Sequence, residues 1–293
     1  MRKIIKKPRV HKVIKKPRKR LVTKPFVRRV KKARKSHGLL SLLRPKRERG
    51  IKIKPKRARV IGVFSCKGGV GKTTTVANVG MALTKHLKKD VLVIDANLSA
   101  PNLGLHFGEL EPKITIHDAL AGEIPIEKAV MECHGLKVIL GSIAFGEEVH
   151  LVDIRGLLEP LKAKYKLILI DSAPGIGSEV VAAMKACDEI IIATNPEVPT
   201  VASTLKTFSA AERYKIPIVG VVVNKVSGEP FELPIKDVKK ALGWPIIAIV
   251  PEDRRVREST AIGIPVVLYR PKSPAAVKFN ELSETLLKHL MKS

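Results

Sequence analysis

Acidic side chains are nearly missing from the first fifth of this sequence. Residues 1–59 hold 27 Lys or Arg and a single acid, Glu48. Like charge at that density repels itself, and the apolar side chains are too few to offset the entropy of ordering, so no packed core is expected there. Aromatics are scarce throughout, at 4% with one Trp in 293 residues. No series of them is interleaved with the basic residues, which excludes a base-stacking platform of the usual kind. Cys66, Cys133 and Cys187 are the only cysteines, far apart and without a Cys-x-x-Cys pair. That argues against a disulfide framework, a zinc site or an iron–sulfur site, and fits a reducing compartment. No apolar run approaches the length of a membrane span, and the basic N-terminus lacks the apolar core of a secretory signal. A cytoplasmic location is expected.

What remains divides the chain in two. Residues 60–293 carry 28 basic and 26 acidic side chains and are nearly neutral. Residues 1–59 form a basic arm in which Ile5-Lys6-Lys7-Pro8-Arg9 recurs as Ile14-Lys15-Lys16-Pro17-Arg18. Proline and self-repulsion keep such an arm extended and disordered when free. Neutralising phosphates along a nucleic acid would release counterions and give salt-sensitive binding through the backbone, without sequence readout. Attraction to anionic lipid heads is a second reading of the same charge, and a solvated tail a third.

In 60–293, apolar runs alternate with helical stretches. Strands are expected over 60–65, 91–95, 137–140, 167–171, 189–193, 218–223 and 246–250. Helices are expected over 73–87, 149–164, 178–186, 199–213, 235–241 and 274–291. Strands apolar on both faces point to an α/β fold of three layers, a mostly parallel sheet covered by helices on both sides, in one domain. Ligands in such sheets bind at the carboxyl ends of the strands.

The first strand runs into Ser65-Cys66-Lys67-Gly68-Gly69-Val70-Gly71-Lys72-Thr73-Thr74-Thr75, and a helix follows. Strand, glycine-rich turn and helix are the context of a phosphate-binding loop. Glycines let several N–H groups converge on one anion, and the helix adds its positive end. Lys72 can reach the terminal phosphates, and the Thr73 hydroxyl is placed for Mg²⁺. The strict pattern has glycine where Cys66 stands, and an additional Lys67 opens the loop. Two further strands end in acids, Val91-Leu92-Val93-Ile94-Asp95 and Leu167-Ile168-Leu169-Ile170-Asp171. A carboxylate delivered beside a phosphate loop suits Mg²⁺, directly or through water, and Asp171 fits that role best.

Lys67-Gly68-Gly69-Val70-Gly71-Lys72-Thr73-Thr74 resembles the deviant Walker A loop of the MinD/ParA ATPases. The likeness continues through Asp95-Ala96-Asn97, Asp171-Ser172-Ala173-Pro174-Gly175, Thr194-Asn195-Pro196-Glu197, Val223-Asn224-Lys225 and Val250-Pro251-Glu252-Asp253. It spans essentially all of 60–293 and is closer to the MinD branch. The resemblance implies a P-loop NTPase with ATP and Mg²⁺ as cofactors, a homodimer when ATP-bound, and an activating partner that the sequence does not name. By position, the loop from Gly68 to Thr74 holds phosphates. Lys67 is similar to the signature lysine that reaches across a dimer to the partner's nucleotide and neutralises charge in phosphoryl transfer. Thr73 and Asp171 would hold Mg²⁺. Asn224 and the backbone at Pro251, Glu252 and Asp253 would hold adenine, and the loops 95–105 and 171–178 would sense the γ-phosphate.

One departure bears on rate. The family usually has Asp-x-Asp after the second strand, and its second Asp positions or activates water. Here that residue is Asn97, which can orient water but cannot take a proton. Slow hydrolysis or a long-lived ATP-bound dimer is expected, with Asp95 or a switch-loop group as the alternative provider. The last helix carries an apolar stripe of Phe279, Leu282, Leu286, Leu287, Leu290 and Met291. MinD proteins often end in an amphipathic membrane helix, but packing on the sheet is the expectation favoured here. The leading functional expectation is a nucleotide-switched ATPase on nucleic acid, associated with the nucleoid. A membrane-associated positioning ATPase and a non-hydrolytic scaffold on DNA or ribosomes are the alternatives.

Overall fold

The computed structural model describes residues 57–143 and 153–292. The arm up to residue 56, and residues 149–152 of the expected helix, lie outside the described residues. In chain order the elements are β1 (Arg59–Phe64), α1 (Lys72–Leu87), β2 (Val91–Ala96), α2 (Leu103–Phe107), α3 (Ile116–Leu120), β3 (Met131–Cys133), β4 (Leu136–Ile139), α4 (Ile154–Lys162) and β5 (Leu167–Ser172). Then follow α5 (Ser178–Ala186), β6 (Glu189–Thr194), α6 (Val198–Arg213), β7 (Ile218–Val226), α7 (Ile235–Leu242), β8 (Ile246–Pro251), α8 (Arg254–Ile262), α9 (Val266–Tyr269) and α10 (Pro274–Lys292).

The strands form one sheet in the order β3-β4-β2-β5-β1-β6-β7-β8. All pairings are parallel except the edge strand β3, which runs antiparallel to β4. β1 continues through α1 to β2 on one side, while β6 lies on its other side. The connection therefore changes direction at β1, and a crevice opens at its carboxyl end.

Alternation along each strand divides the apolar residues between two layers. Val60 and Phe64 of β1, Leu92 and Ile94 of β2, and Ile168 and Ile170 of β5 pack under α4, α5 and α6. Ile61 and Val63, Val91 and Val93, and Leu167 and Leu169 pack under α1 and α10. All twelve are at most 2% exposed, which is why the strands read as continuous apolar runs.

All seven expected strands are present, with small shifts at their ends. β3 was not anticipated: three residues with one charged carry no usable period. It exists because His134 and Gly135, at φ 53 and 89, turn the chain tightly into β4. The short helices α2, α3, α8 and α9 were likewise not foreseen. α10 resolves the question of the last helix. Phe279, Leu282, Leu286 and Leu287 are buried in the core shared with α1 and β8. Each contributes on the order of 1.5–3 kcal/mol of burial, so the stripe belongs to the fold. At the start of β1, Ala58 is buried and Arg59 pairs with Glu189 at 2.9 Å. Ala58 and Arg59 thus pack with the rest of the described structure.

Candidate nucleotide-binding site

The phosphate loop sits at the carboxyl end of β1. Gly71, the N-cap of α1, has φ 91, and no side chain caps the helix or places an acid in its first turn. The helix start is therefore left for an anion. A Cβ on Gly71 would stand 2.0 Å from the Asn224 amide nitrogen, on top of a positive φ. That amide donates to the Val70 carbonyl at 2.9 Å, and Asn224 Oδ1 accepts from Lys225 N–H at 3.0 Å. Asn224 thus fastens the loop to the end of β7. Lys225 adopts φ 58, an uncommon conformation for a lysine.

Lys72 is buried, and its ammonium donates to Ser65 Oγ at 3.1 Å. Burial holds its pKa below the usual lysine value, with the Asp171 charge opposing. Thr73 Oγ1 donates to Asn102 Oδ1 at 2.9 Å.

Asp95 and Asp171 lie opposite each other in register on β2 and β5. Asp95 accepts from the N–H groups of Asn97, Asn102 and Leu103 at 3.1, 3.1 and 3.0 Å. Asp171 is fully buried, and neither of its oxygens has a hydrogen-bond donor among the described residues. Burial pushes both carboxyls up. The Asp171 charge adds to this at Asp95, and the three N–H groups resist it. At Asp171 the nearby Thr73 hydroxyl and Lys72 ammonium resist.

An orphaned buried carboxylate beside a threonine hydroxyl is a hard oxygen donor set, and it suits Mg²⁺. Among the described residues no group of three or more His, Cys, Asp or Glu could hold a metal. The fit is therefore to an ion that takes few protein oxygens and fills its shell with phosphate and water.

Asn97 is buried. Its Nδ2 donates to the Ala100 carbonyl at 2.6 Å, and its Oδ1 has no partner among the described residues. The amide is thereby oriented, with its oxygen buried and without a donor among the described residues. Lys67 stands apart from the rest of the loop. Its Nζ donates to Thr200 Oγ1 at 3.1 Å and lies 3.4 Å from Glu197 Oε2, at the start of α6.

Beyond the loop a cleft of about 410 Å³ opens among Asn224, Pro251, Glu252, Thr260, His106 and Phe279, with Asp253 also at its wall. Its size and mixed lining suit a planar base. The Asp253 side chain is used for the fold: it caps α8 through Arg255 N–H at 2.9 Å and accepts from Ala275 N–H at 3.3 Å. Burial lowers the His106 pKa to about 4, so the ring is neutral near pH 7. Its Nδ1 lies 3.4 Å from Thr260 Oγ1. Sequence reasoning missed His106 and Thr260, and placed Asn102 only as a member of the 95–105 loop. The contacts that make them functional candidates are between chain segments, and local pattern does not show them.

The sheet order, the uncapped glycine-rich loop at the direction change, and two strand-end acids define a P-loop nucleotide-binding protein of the α/β class. Residues 61–266 match the CobQ/CobB/MinD/ParA nucleotide binding domain, and the chain belongs to this MinD/ParA ATPase family. It is 38% identical over 234 residues to an uncharacterised ATP-binding protein of Methanocaldococcus jannaschii, covering 78% of this chain and 88% of that protein. It is 34% identical to the septum site-determining protein MinD of a Synechocystis species, covering 78% and 89%. The structure of septum site-determining MinD from Pyrococcus horikoshii, complexed with Mg-ADP, superimposes with a TM-score of 0.75 at 32% identity, covering 79% of this chain and 97% of that one.

Proposed function

We propose that this protein is a slow, Mg²⁺-dependent ATPase that dimerises around ATP and is held on nucleic acid by its basic arm. The observation that carries the catalytic half is the unpartnered, fully buried Asp171 carboxylate beside Lys72 and Thr73. Bound Mg²⁺ would supply charge neutralisation between the terminal phosphates. The loop N–H groups and Lys72 hold the phosphates, and Thr73 and Asp171 hold the metal. Asn224 and the backbone from Pro251 to Asp253 hold the adenine. Asn97 orients the attacking water through Oδ1 without removing its proton. Lys67 leaves Thr200 and Glu197 when a second copy approaches and reaches that copy's nucleotide.

The nucleic-acid half rests on the charge of residues 1–59, one acid against 27 bases. Two arms on one dimer would bind more tightly than one through avidity. A second reading, a membrane-associated positioning ATPase, is favoured by the 34% identity to a septum site-determining MinD. The burial of Phe279, Leu282, Leu286 and Leu287 removes most of the α10 stripe as its anchor, leaving the arm to meet anionic lipid. Binding of the full chain and of residues 57–293 to a long random duplex, with ATP and with ADP across salt, separates these. Steep salt dependence that vanishes with the arm, and tighter binding with ATP, supports the proposal. Binding to anionic vesicles with none to DNA replaces it with the second reading.

A further inference from the structure

Glu179, in the first turn of α5, spends its carboxylate on a different loop. Oε1 accepts from the backbone N–H of Leu98 and, at 3.1 Å, from that of Ser99; Oε2 accepts from Ser99 Oγ at 2.9 Å. It does not cap its own helix, whose N-cap Gly177 has no side-chain bond. The loop it grips follows Asp95, and its own loop follows Asp171. One carboxylate therefore ties together the segments that leave the two acidic strand ends.

Leu98 is held on its other side as well. Ser142 N–H donates to His117 Nδ1 at 3.2 Å, so the ring proton sits on Nε2, which donates to the Leu98 carbonyl at 3.0 Å. Asp95 fixes the N–H of Asn97 at 3.1 Å, directly before Leu98. The backbone carrying Asn97 is pinned from both directions, while Ser99 and Ala100 beyond it are exposed. Charge-assisted bonds from a carboxylate to N–H groups are the strong kind, so removing Glu179 frees the exposed side of this loop first.

We propose that Glu179 is a positioning residue. It braces loop 97–102 against loop 173–178, fixes the direction of the Asn97 amide, and makes the two loops respond together to the nucleotide. The proposal rests on the ATPase reading above for its consequence in turnover, but the brace itself is readable in the nucleotide-free protein.

The test uses the full chain and its E179A and E179Q variants. In nucleotide-free protein, E179A should speed amide hydrogen exchange at Leu98 and Ser99 by about 10-fold or more. Asn102 and Leu103, held by Asp95, should change less than about 2-fold. E179Q keeps an oxygen that accepts from both N–H groups and should restore most of the protection. At saturating Mg-ATP, E179A should lower kcat by about 10-fold with Mg-ADP affinity within about 2-fold of wild type, and E179Q should recover the rate. Unchanged exchange at Leu98 and Ser99 overturns the proposal. So does an unchanged kcat, or an equal fall in kcat and ADP affinity, which marks a merely structural loss. If wild-type protein turns over no ATP, the ATPase reading falls, and the exchange pattern alone decides the brace.

Discussion

Two strand ends stand side by side at the centre of this sheet and differ in everything but their acid. After Asp95 the chain curls back, and three backbone N–H groups converge on the carboxylate. After Asp171 it moves away. Ser172 Oγ donates to the Val63 carbonyl at 2.8 Å, Pro174 has no N–H, and Gly175 N–H donates to the Ser65 carbonyl at 3.1 Å. Of these three groups, two donate elsewhere and the third has no proton to give. A buried carboxylate with its lone pairs filled anchors the fold. One with none costs the fold free energy, and it is retained where a cation will meet it.

The contrast can be broken at several points. The largest effect is expected for Asp171→Asn: ATP turnover should fall by about 10³-fold, and chelating Mg²⁺ should do the same to wild type. Its melting temperature should stay level or rise, because a buried carboxylate without a hydrogen-bond donor is removed. A marked drop in melting temperature would contradict the division of roles. Asp95→Ala should do the reverse first. It leaves three N–H groups unpaired and should lower stability by about 3 kcal/mol or more in urea titrations. Stability within about 0.5 kcal/mol of wild type would refute the anchor role.

The amides sharpen the same comparison. Asn224 uses both of its ends and Asn97 only one, so Asn97 is the amide with an unsatisfied acceptor among the described residues. Asn97→Asp should raise turnover by about 10-fold, measured as steady-state phosphate release. An unchanged rate would place water activation elsewhere. The smallest effect belongs to the pair at the start of α6. Lys67 and Glu197 are both exposed, at 46% and 41% of their side chains, so Glu197→Ala should change stability by no more than about 0.5 kcal/mol. Its effect should show instead in ATP-dependent dimerisation by light scattering, where a freed Lys67 assembles at lower protein concentration.

The reading from residues alone went furthest where period and spacing carry the signal. Strands buried on both faces must be apolar throughout, so all seven principal strands stood out, and the glycines of the phosphate loop marked the turn between β1 and α1. The reading failed at elements fixed by something other than period. β3 depends on the turn at His134 and Gly135. α8, mostly polar, depends on the Asp253 cap, and α2 depends on the Asp95 carboxylate at its start. Lys67 was assigned by position, yet its contact with Thr200 lies far along the chain.

By itself, the sequence determined the basic arm, the α/β order, the phosphate loop and the two acids that flank it. These follow from local charge, residue volume and backbone freedom. The tertiary structure alone decided that Asp95 is filled and Asp171 is open. It also decided that Asn97 keeps a free oxygen, that the α10 stripe lies in the core, and that Glu179 grips the opposite loop. Hydrogen-bond partners some eighty residues apart depend on the path each loop takes over the packed sheet, and no pattern within either loop encodes that path.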